Sequence, residues 1–407
     1  MQILHSIRSF FKEKDQPQIL VVLLFIVFAL MLVIENINGR FWLNDFKVMY
    51  SAAEAFVSGE QVYGKPFGLS TGFFKYSPES TVLFIPYLLF KFEVAAVLHY
   101  CVILVCTVGL FLNLTKLCRA SLFPTLSLKY PSLLLWPAFL FSIVHLVREF
   151  HLGNVNVILV YLISATLLAT IQKKYITAGI LISIVIFTKP YFIVLLLGFL
   201  LIKKLKPILV SAIFGLSAIL LFSLITGFGK SIQLHADWLK SMLDHSNYLT
   251  SNHTIFSLLE NYFGVEIPLA NSPLYLFAIG LVLFFTFWIK KTKNEPLRFI
   301  FFMLIYLALI PNMIISDTEH FLFAIPLLVY LTYAICASKQ FWWFAPFLLV
   351  LFMFGGNAND LLGKTLSDFV DQNGLLGISN LIIIVASGIV GFKTQKTSTI
   401  NSSTALK

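Results

Sequence analysis

Charged side chains are the scarcest component of this sequence. Only 12% of its 407 residues are charged, whereas a soluble domain carries about 25%. Hydrophobic residues make up 58%, and the mean hydropathy is +0.89, so lipid rather than water must cover most of the folded surface. The strands of an outer-membrane barrel, which alternate over about 10 residues, are also missing. Because unpaired backbone groups are too costly in hydrocarbon, we expect an all-α polytopic membrane protein.

The signatures of several enzyme and transporter classes are missing as well. There is no Walker loop, which argues against ATP-driven transport, and no HExxH metalloprotease motif. The Asp-x-Asp pair with which soluble sugar-nucleotide enzymes hold a metal is absent, since Asp368 and Asp371 have the wrong spacing. The four cysteines form no metal-binding or disulfide pattern. Basic residues lie in short runs between apolar segments, which is a poor pattern for binding nucleic acid.

Long apolar runs recur along the chain. A spanning helix needs about 20 apolar residues, and the runs predict about 11–13 transmembrane or membrane-embedded helices in a single domain, residues 1–392. Pro190 interrupts one stretch, which is either a hairpin of two half-length helices or one kinked span. Two polar loops are long, 36–78 and 226–271. Residues 393–407 are rich in Ser and Thr and are expected to form a disordered cytoplasmic tail.

The basic residues are unevenly divided between the two predicted sides. With the N-terminus in the cytoplasm and 176–202 treated as a hairpin, the cytoplasmic segments contain 19 of the 29 Lys and Arg residues, but only three of the 19 acidic residues. Cytoplasmic loops of membrane proteins carry such an excess of Lys and Arg. We therefore expect a multi-pass protein of the cytoplasmic (inner) membrane with both long loops outside.

In this topology the uncommon polar residues gather on the extracytoplasmic side. They are Asp45, Lys75, Tyr76, Arg148, His151, Asn154, Asn156, Lys189, Asn252, His253 and His320. Ionisable groups at helix ends that face a common cavity are costly to keep there and are usually functional. Lys189 is the hardest to explain as a structural residue, because it lies between two strongly apolar runs, although an outward position would let it reach water.

Structural explanations exist for most of these residues. A solvated loop acid would account for Asp45. Anchoring at the membrane interface accounts equally well for Lys75 and Arg148. Hydrogen bonds between helices would account for Asn154 and Asn156. The residue types alone therefore leave the site open.

Several short motifs occur in a fixed order from about Asp45 to Pro326. They are Asp45 after the first helix, Tyr76-Ser77-Pro78, Gly153-Asn154-Val155-Asn156, Lys189-Pro190, Asn252-His253-Thr254-Ile255-Phe256-Ser257, and the Ser316-to-His320 turn. In this order they resemble glycosyltransferase family 87, also known as domain of unknown function 2029. The chain departs from the family pattern at Asn154 and His253, where Gln is usual, and at Glu319, where a first His is often found.

The resemblance implies a GT-C fold and a glycosyltransferase similar to the polyprenol-phosphate-mannose-dependent mannosyltransferases of cell-envelope glycolipids. Such an enzyme moves a sugar, mannose by default, from a polyprenyl-phosphate donor to a hydroxyl of a lipid or glycan acceptor outside the cytoplasm. Inversion is implied, with no metal and no cofactor. The expected partners are this donor, the acceptor and membrane lipids, and not nucleic acid.

The resemblance also implies roles for individual residues. Asp45 matches the aspartate of the first loop and would be the general base. The leaving phosphate needs cations or amide donors. Binding of the donor phosphate and sugar is assigned to Lys75, Tyr76, Arg148, His151, Asn154, Asn156, Lys189, Asn252, His253 and His320.

Two other functions fit part of the pattern. A transporter or lipid flippase would use the same polar cavity, and the broken segment at Lys189-Pro190 would suit it, but the two halves show no convincing inverted repeat. A lipid-linked glycan ligase usually has a larger late external loop, whereas the loop at 356–376 is short.

Overall fold

The chain folds almost entirely as helices. The computed structural model describes residues 17–68, 72–123, 135–245, 252–267, 272–289, 295–314, 317–338, 344–356 and 358–404. Within these ranges there are seventeen α-helices and no strand. The helices are α1 (Pro17–Ile37), α2 (Asn44–Val57), α3 (Phe92–Leu117), α4 (Leu135–Leu152), α5 (Asn156–Ile171), α6 (Tyr175–Thr188), α7 (Leu196–Leu201), α8 (Leu205–Thr226), α9 (Phe228–His245), α10 (Ile255–Phe263), α11 (Ser272–Ile289), α12 (Glu295–Met313), α13 (Ile325–Ser338), α14 (Phe344–Gly355), α15 (Asn359–Leu362), α16 (Lys364–Gln372) and α17 (Leu375–Thr404). The expected all-α polytopic membrane class is confirmed.

Five helical segments of the described chain are long and apolar enough to cross a bilayer alone. They are Ile19–Ile37, Phe92–Leu122, Leu205–Thr226, Glu295–Met313 and Thr318–Ala337. Two bent pairs, α4 with α5 (117°) and α16 with the first part of α17 (60°), raise the number to seven if each pair is one span. Shorter apolar helices add Tyr175–Thr188, Pro190–Leu201 and Leu274–Ile289. Helices that cross the bilayer in one unbroken piece are therefore fewer than the 11–13 transmembrane or membrane-embedded helices predicted. The bent pairs and the shorter apolar helices account for part of the difference.

The centre of the bundle is formed by α12 and α13. Every side chain of α12 from Phe299 to Met313 is buried, and most of α13 is buried beside it. By contrast, only 17% of the most apolar 18-residue stretch of α1, and likewise of α8, is buried inside the protein. Exposed apolar surface of this extent on an isolated chain is the surface that lipid covers.

Residues 79–91 differ from the short embedded helix that their hydropathy predicts. They form two 3₁₀ helices, Pro78–Leu83 and Ile85–Leu89, instead of one α-helix. Pro78 and Pro86 each lie in a first turn, where a missing N–H is tolerated, but a proline inside a longer α-helix would break it.

Both long polar loops contain helices. The first includes α2, which carries the predicted base Asp45 in its first turn, and the second includes α9 and α10. Towards the C-terminus, α17 continues to Thr404. Neither glycine nor proline follows Gly391 in this helix, and the disorder expected of residues 393–407 stays a prediction.

Candidate active site

A tight turn between α4 and α5 places one end of the bundle against the start of α2. Gly153 in this turn has φ +66°, and a Cβ at this position would lie 3.0 Å from the Cβ atoms of Leu43 and Phe46. A side chain would therefore be strained in its backbone and crowded by α2. His99 of α3 donates from Nε2 to the Gly153 carbonyl oxygen (3.0 Å) and stacks on Phe46 at 4.2 Å between ring centroids. Contacts from α2 and α3 thus fix the position of the turn.

Asp45 lies in the first turn of α2 and is held by Asn154. The Asn154 amide donates from Nδ2 to Asp45 Oδ2 at 2.6 Å. Its Oδ1 accepts from the Val155 backbone N–H at 2.7 Å and lies 3.5 Å from the Tyr76 hydroxyl. Because Oδ1 faces these donors, Nδ2 must face the carboxylate. The amide therefore fixes the orientation of the Asp45 side chain.

The surroundings of Asp45 make it a better base than an ordinary aspartate. Withdrawal from water raises the pKa of Asp45 to about 6, and the negative charge of Glu319 adds to the rise, while Lys75 and the Asn154 hydrogen bond oppose it. A general base is most effective when its pKa lies near the operating pH. Asp45 therefore combines a fixed geometry with a useful basicity.

Behind this pair, Glu149 and Asn156 form a second polar layer with no exposed surface. Glu149 accepts from Asn156 Nδ2 on Oε2 (3.0 Å) and from the Val157 backbone N–H on Oε1 (2.8 Å). Val157 belongs to the first turn of α5, whose free N–H groups favour a negative charge. A carboxylate on the last turn of α4 thus stabilises the start of α5.

Lys189 connects this layer to the other side of the bundle. It ends α6, just before Pro190, and donates from Nζ to Asn156 Oδ1 (2.5 Å) and His320 Nε2 (2.9 Å). His320 must then carry its proton on Nδ1, which lies 3.2 Å from the Asp317 carbonyl oxygen. The ammonium also lies 5.7 Å from the centre of the Phe323 ring. A positive charge and a neutral imidazole therefore stand side by side.

Lys75 and Arg148 bring further positive charge to the same end of the bundle. Burial lowers the pKa of Lys75, although the negative charges of Asp317, Asp45 and Glu319 oppose the change. Its backbone is fixed from α9, because Trp238 Nε1 donates to the Lys75 carbonyl oxygen at 3.0 Å. Arg148 donates to the Thr318 hydroxyl. We call the group formed by Asp45, Lys75, Tyr76, Glu149, Asn154, Asn156, Lys189, Glu319 and His320 the polar cluster, with Arg148 at its edge.

Three predicted site residues make contacts of a different kind. His151 pairs with Glu35 at the end of α1, with 2.8 Å between Nδ1 and Oε1. His253 lies 3.0 Å from Asp371 of α16, to which Asn252 also hydrogen-bonds. The contacts of Asn252 and His253 tie the second long loop to α16. The role of all three residues in donor binding remains a prediction.

Two members of the polar cluster were not predicted as site residues. Glu149 is the only acid within the apolar helix α4, and an ionisable group in such a helix is a functional signal in its own right. Glu319 is buried, and its charge acts on Asp45, Lys75 and Arg148. The sequence marks Glu319 only as a departure from the family pattern.

Among the residues that the structure describes, no group of three or more His, Cys, Asp and Glu side chains is arranged to hold a metal ion. The charges that could act on an anionic substrate come instead from Lys75, Arg148 and Lys189. These side chains are flexible cations or planar donors suited to phosphate oxygens.

Comparison with known proteins identifies the family of this chain. No curated protein matches the chain. The sequence pattern of glycosyltransferase family 87 matches residues 73–316. This stretch contains most of the predicted site residues, whereas Asp45 and His320 lie outside it.

Proposed function

Since this chain belongs to glycosyltransferase family 87 and is a membrane glycosyltransferase, we propose that it uses a polyprenyl-phosphate sugar as donor. The sugar, mannose by default, goes to a hydroxyl of a lipid or glycan acceptor. The reaction takes place on the extracytoplasmic face of the cytoplasmic membrane and inverts the anomeric carbon. It uses neither a metal nor another cofactor.

The arrangement of Asp45 and Lys189 within one polar cluster carries this proposal. A sugar transfer by direct displacement needs a base for the acceptor hydroxyl and, separately, positive charge for the leaving group. Asp45 is oriented by Asn154 at 2.6 Å. Lys189 is oriented by Asn156 and His320. Asn154 and Asn156 lie two positions apart at the start of α5, which supports placing the base and the cation in one site.

The proposed step balances as a single displacement. The acceptor hydroxyl gives its proton to Asp45, and its oxygen forms a bond to the anomeric carbon of the donor. The bond between that carbon and the phosphate oxygen breaks, and the electron pair leaves with the polyprenyl phosphate. Lys189, Lys75 and Arg148 stabilise the phosphate, whose negative charge increases as it leaves. The attack occurs opposite to the leaving group, so configuration inverts.

The membrane environment suits such a donor. The exposed apolar faces of the bundle, as on α1 and α8, are compatible with an isoprenoid chain that stays in lipid while its phosphate reaches the helix ends. The excess of Lys and Arg in the cytoplasmic segments supports an extracytoplasmic position for these ends.

The test is transfer of radiolabel by the purified protein in nanodiscs, with polyprenyl-phosphate-mannose and a total lipid extract. Wild-type protein should make a labelled lipid or glycan, and Asp45→Asn should lose about 10²- to 10⁴-fold of the rate while still binding donor. Glu54→Gln is the matched control, because it changes an exposed carboxylate on the same helix and should leave the rate unchanged.

Two results would reject parts of the proposal. Near-normal transfer by Asp45→Asn would remove Asp45 as the base. No transfer by wild type from mannose, glucose or arabinose donors would reject the reaction and favour the transporter or flippase.

A further inference from the structure

Glu149 has no role in the displacement itself, yet both of its carboxylate oxygens are held within the polar cluster. Its side chain is wholly buried, and each carboxylate oxygen accepts one N–H: Oε2 from Asn156 and Oε1 from Val157. Because both oxygens of Glu149 act as acceptors, Asn156 and Val157 must each present an N–H donor to it. The Asn156 amide therefore turns its Nδ2 toward Glu149.

The orientation of the Asn156 amide decides whether the Lys189 ammonium faces an acceptor or a donor. With Nδ2 directed at Glu149, Oδ1 points the other way and accepts from Lys189 Nζ at 2.5 Å. If the amide were reversed, Nδ2 would face the ammonium, and two donors would oppose each other. Asn156 is also wholly buried, so in the reversed orientation its oxygen would face the Glu149 carboxylate with no water to donate to either.

We propose that Glu149 is a positioning residue for Lys189. It fixes the Asn156 amide in the one orientation that holds the ammonium beside His320, at the place where the donor phosphate binds. The phosphate-binding role of Lys189 rests on the proposed function, whereas the orientation of the amide rests only on these contacts.

A simpler role for Glu149 is to cap the first turn of α5 through Val157. Glu149→Gln separates the two roles. The Gln side chain can still accept from Val157 with its oxygen, but its NH₂ group then faces Asn156. The Asn156 amide must reverse to accept from it, and Lys189 loses its acceptor.

A second substitution should restore that acceptor. When Glu149→Gln is combined with Asn156→Asp, one oxygen of the new carboxylate at position 156 accepts from the glutamine, and the other accepts from Lys189. The pair keeps its total charge and reverses only the direction of one hydrogen bond. Asn156→Asp alone places two carboxylates face to face, and repulsion between them should lower the melting temperature.

The experiment measures two quantities on wild type, the two single variants and the double variant in nanodiscs. The first is binding of undecaprenyl phosphate by native mass spectrometry, and the second is the melting temperature. Glu149→Gln should bind the phosphate at least about tenfold more weakly, the size expected for one lost hydrogen bond to a charged group. The double variant should recover most of the affinity. Glu79→Gln, a buried carboxylate that pairs with His235 at 2.9 Å, is the control for placing an amide in a buried site.

The outcomes separate this proposal from the proposed function. If Glu149→Gln binds undecaprenyl phosphate with wild-type affinity, Glu149 is only a helix cap and the proposal is overturned. A double variant that binds the phosphate no more tightly than Glu149→Gln would overturn it too. If wild type neither binds the phosphate nor transfers sugar, the proposed function fails. The melting temperatures then still test the orientation of the Asn156 amide. A double variant with a higher melting temperature than both single variants supports this orientation. If the double variant loses the sum of the two single losses, the orientation is overturned.

Discussion

The hydrogen bond from Asn154 to Asp45 leads to a quantitative prediction about pH. The pKa of Asp45 is about 6, and the bond from Asn154 Nδ2 at 2.6 Å stabilises the ionised form. Asn154→Ala removes a hydrogen bond to a charged group, worth about 1.5–3 kcal/mol. Because one pKa unit corresponds to about 1.4 kcal/mol, the pKa of Asp45 should rise by about one to two units, to about 7–8.

This shift has a defined effect on the rate. At pH 7 the ionised fraction of Asp45 would fall from about 90% to between about 50% and 10%, a loss of about two- to tenfold. The loss should disappear near pH 9, where Asp45 is ionised in both proteins. Asp45→Asn, by contrast, has no carboxylate to ionise and should stay slow at every pH.

The assay is the initial rate of label transfer between about pH 5 and about pH 9 at saturating donor. Asn113→Ala is the control, since Asn113 donates to Ser164 between α3 and α5 and not to Asp45. If the transfer rate of Asn154→Ala falls at the same acidic pH as that of the wild type, the idea that Asn154 stabilises the ionised form of Asp45 is refuted. A loss that persists at high pH would show that Asn154 acts on something other than ionisation.

Further predictions concern charge, backbone and metal. Lys75→Met should also shift the acid limb of the pH profile upward, because Lys75 lowers the pKa of Asp45. Gly153→Ala should lower the melting temperature, at a cost of about 1–2 kcal/mol, because φ is +66° and the new Cβ meets α2. Asn312→Leu leaves the carbonyl oxygens of His253 and Gly377 without their donor, and should lower the melting temperature through a loss of about 1–3 kcal/mol per group. Transfer should survive EDTA, and strict dependence on Mg²⁺ or Mn²⁺ would contradict the mechanism.

The sequence was sufficient to predict the helical membrane fold, and it also predicted that polar side chains gather at one end of the helices. Apolar runs of this length can satisfy their backbone groups only as helices. Polar residues between such runs must collect at helix ends, where Asp45, Asn154 and Lys189 are found together. The prediction that these three residues share one site follows from their spacing relative to the runs.

The partners of individual side chains could not be predicted in this way. Glu149 and Asn156 are seven positions apart on different helices, and only the 117° bend between α4 and α5 brings them together. His253 resembles a site residue in sequence, but it meets Asp371 because Gly374 and Gly377 let α17 approach the backbone of the second loop closely. Hydropathy cannot reveal such pairings, since they depend on packing between distant segments.

The order in which the polar cluster becomes complete follows from the distance between its members along the chain. Asp45 and Asn154 are separated by 109 positions, and Lys189 and His320 by 131. At a synthesis rate of about 5–20 residues per second, His320 leaves the ribosome roughly 7–26 s after Lys189. During this interval the growing chain already holds Asp45 and the Asn154 amide that orients it, but the Lys189 ammonium lacks its imidazole partner, His320. The centre is therefore completed only by a late-inserted helix, and a chain that stalls before His320 is inserted into the membrane without a finished site.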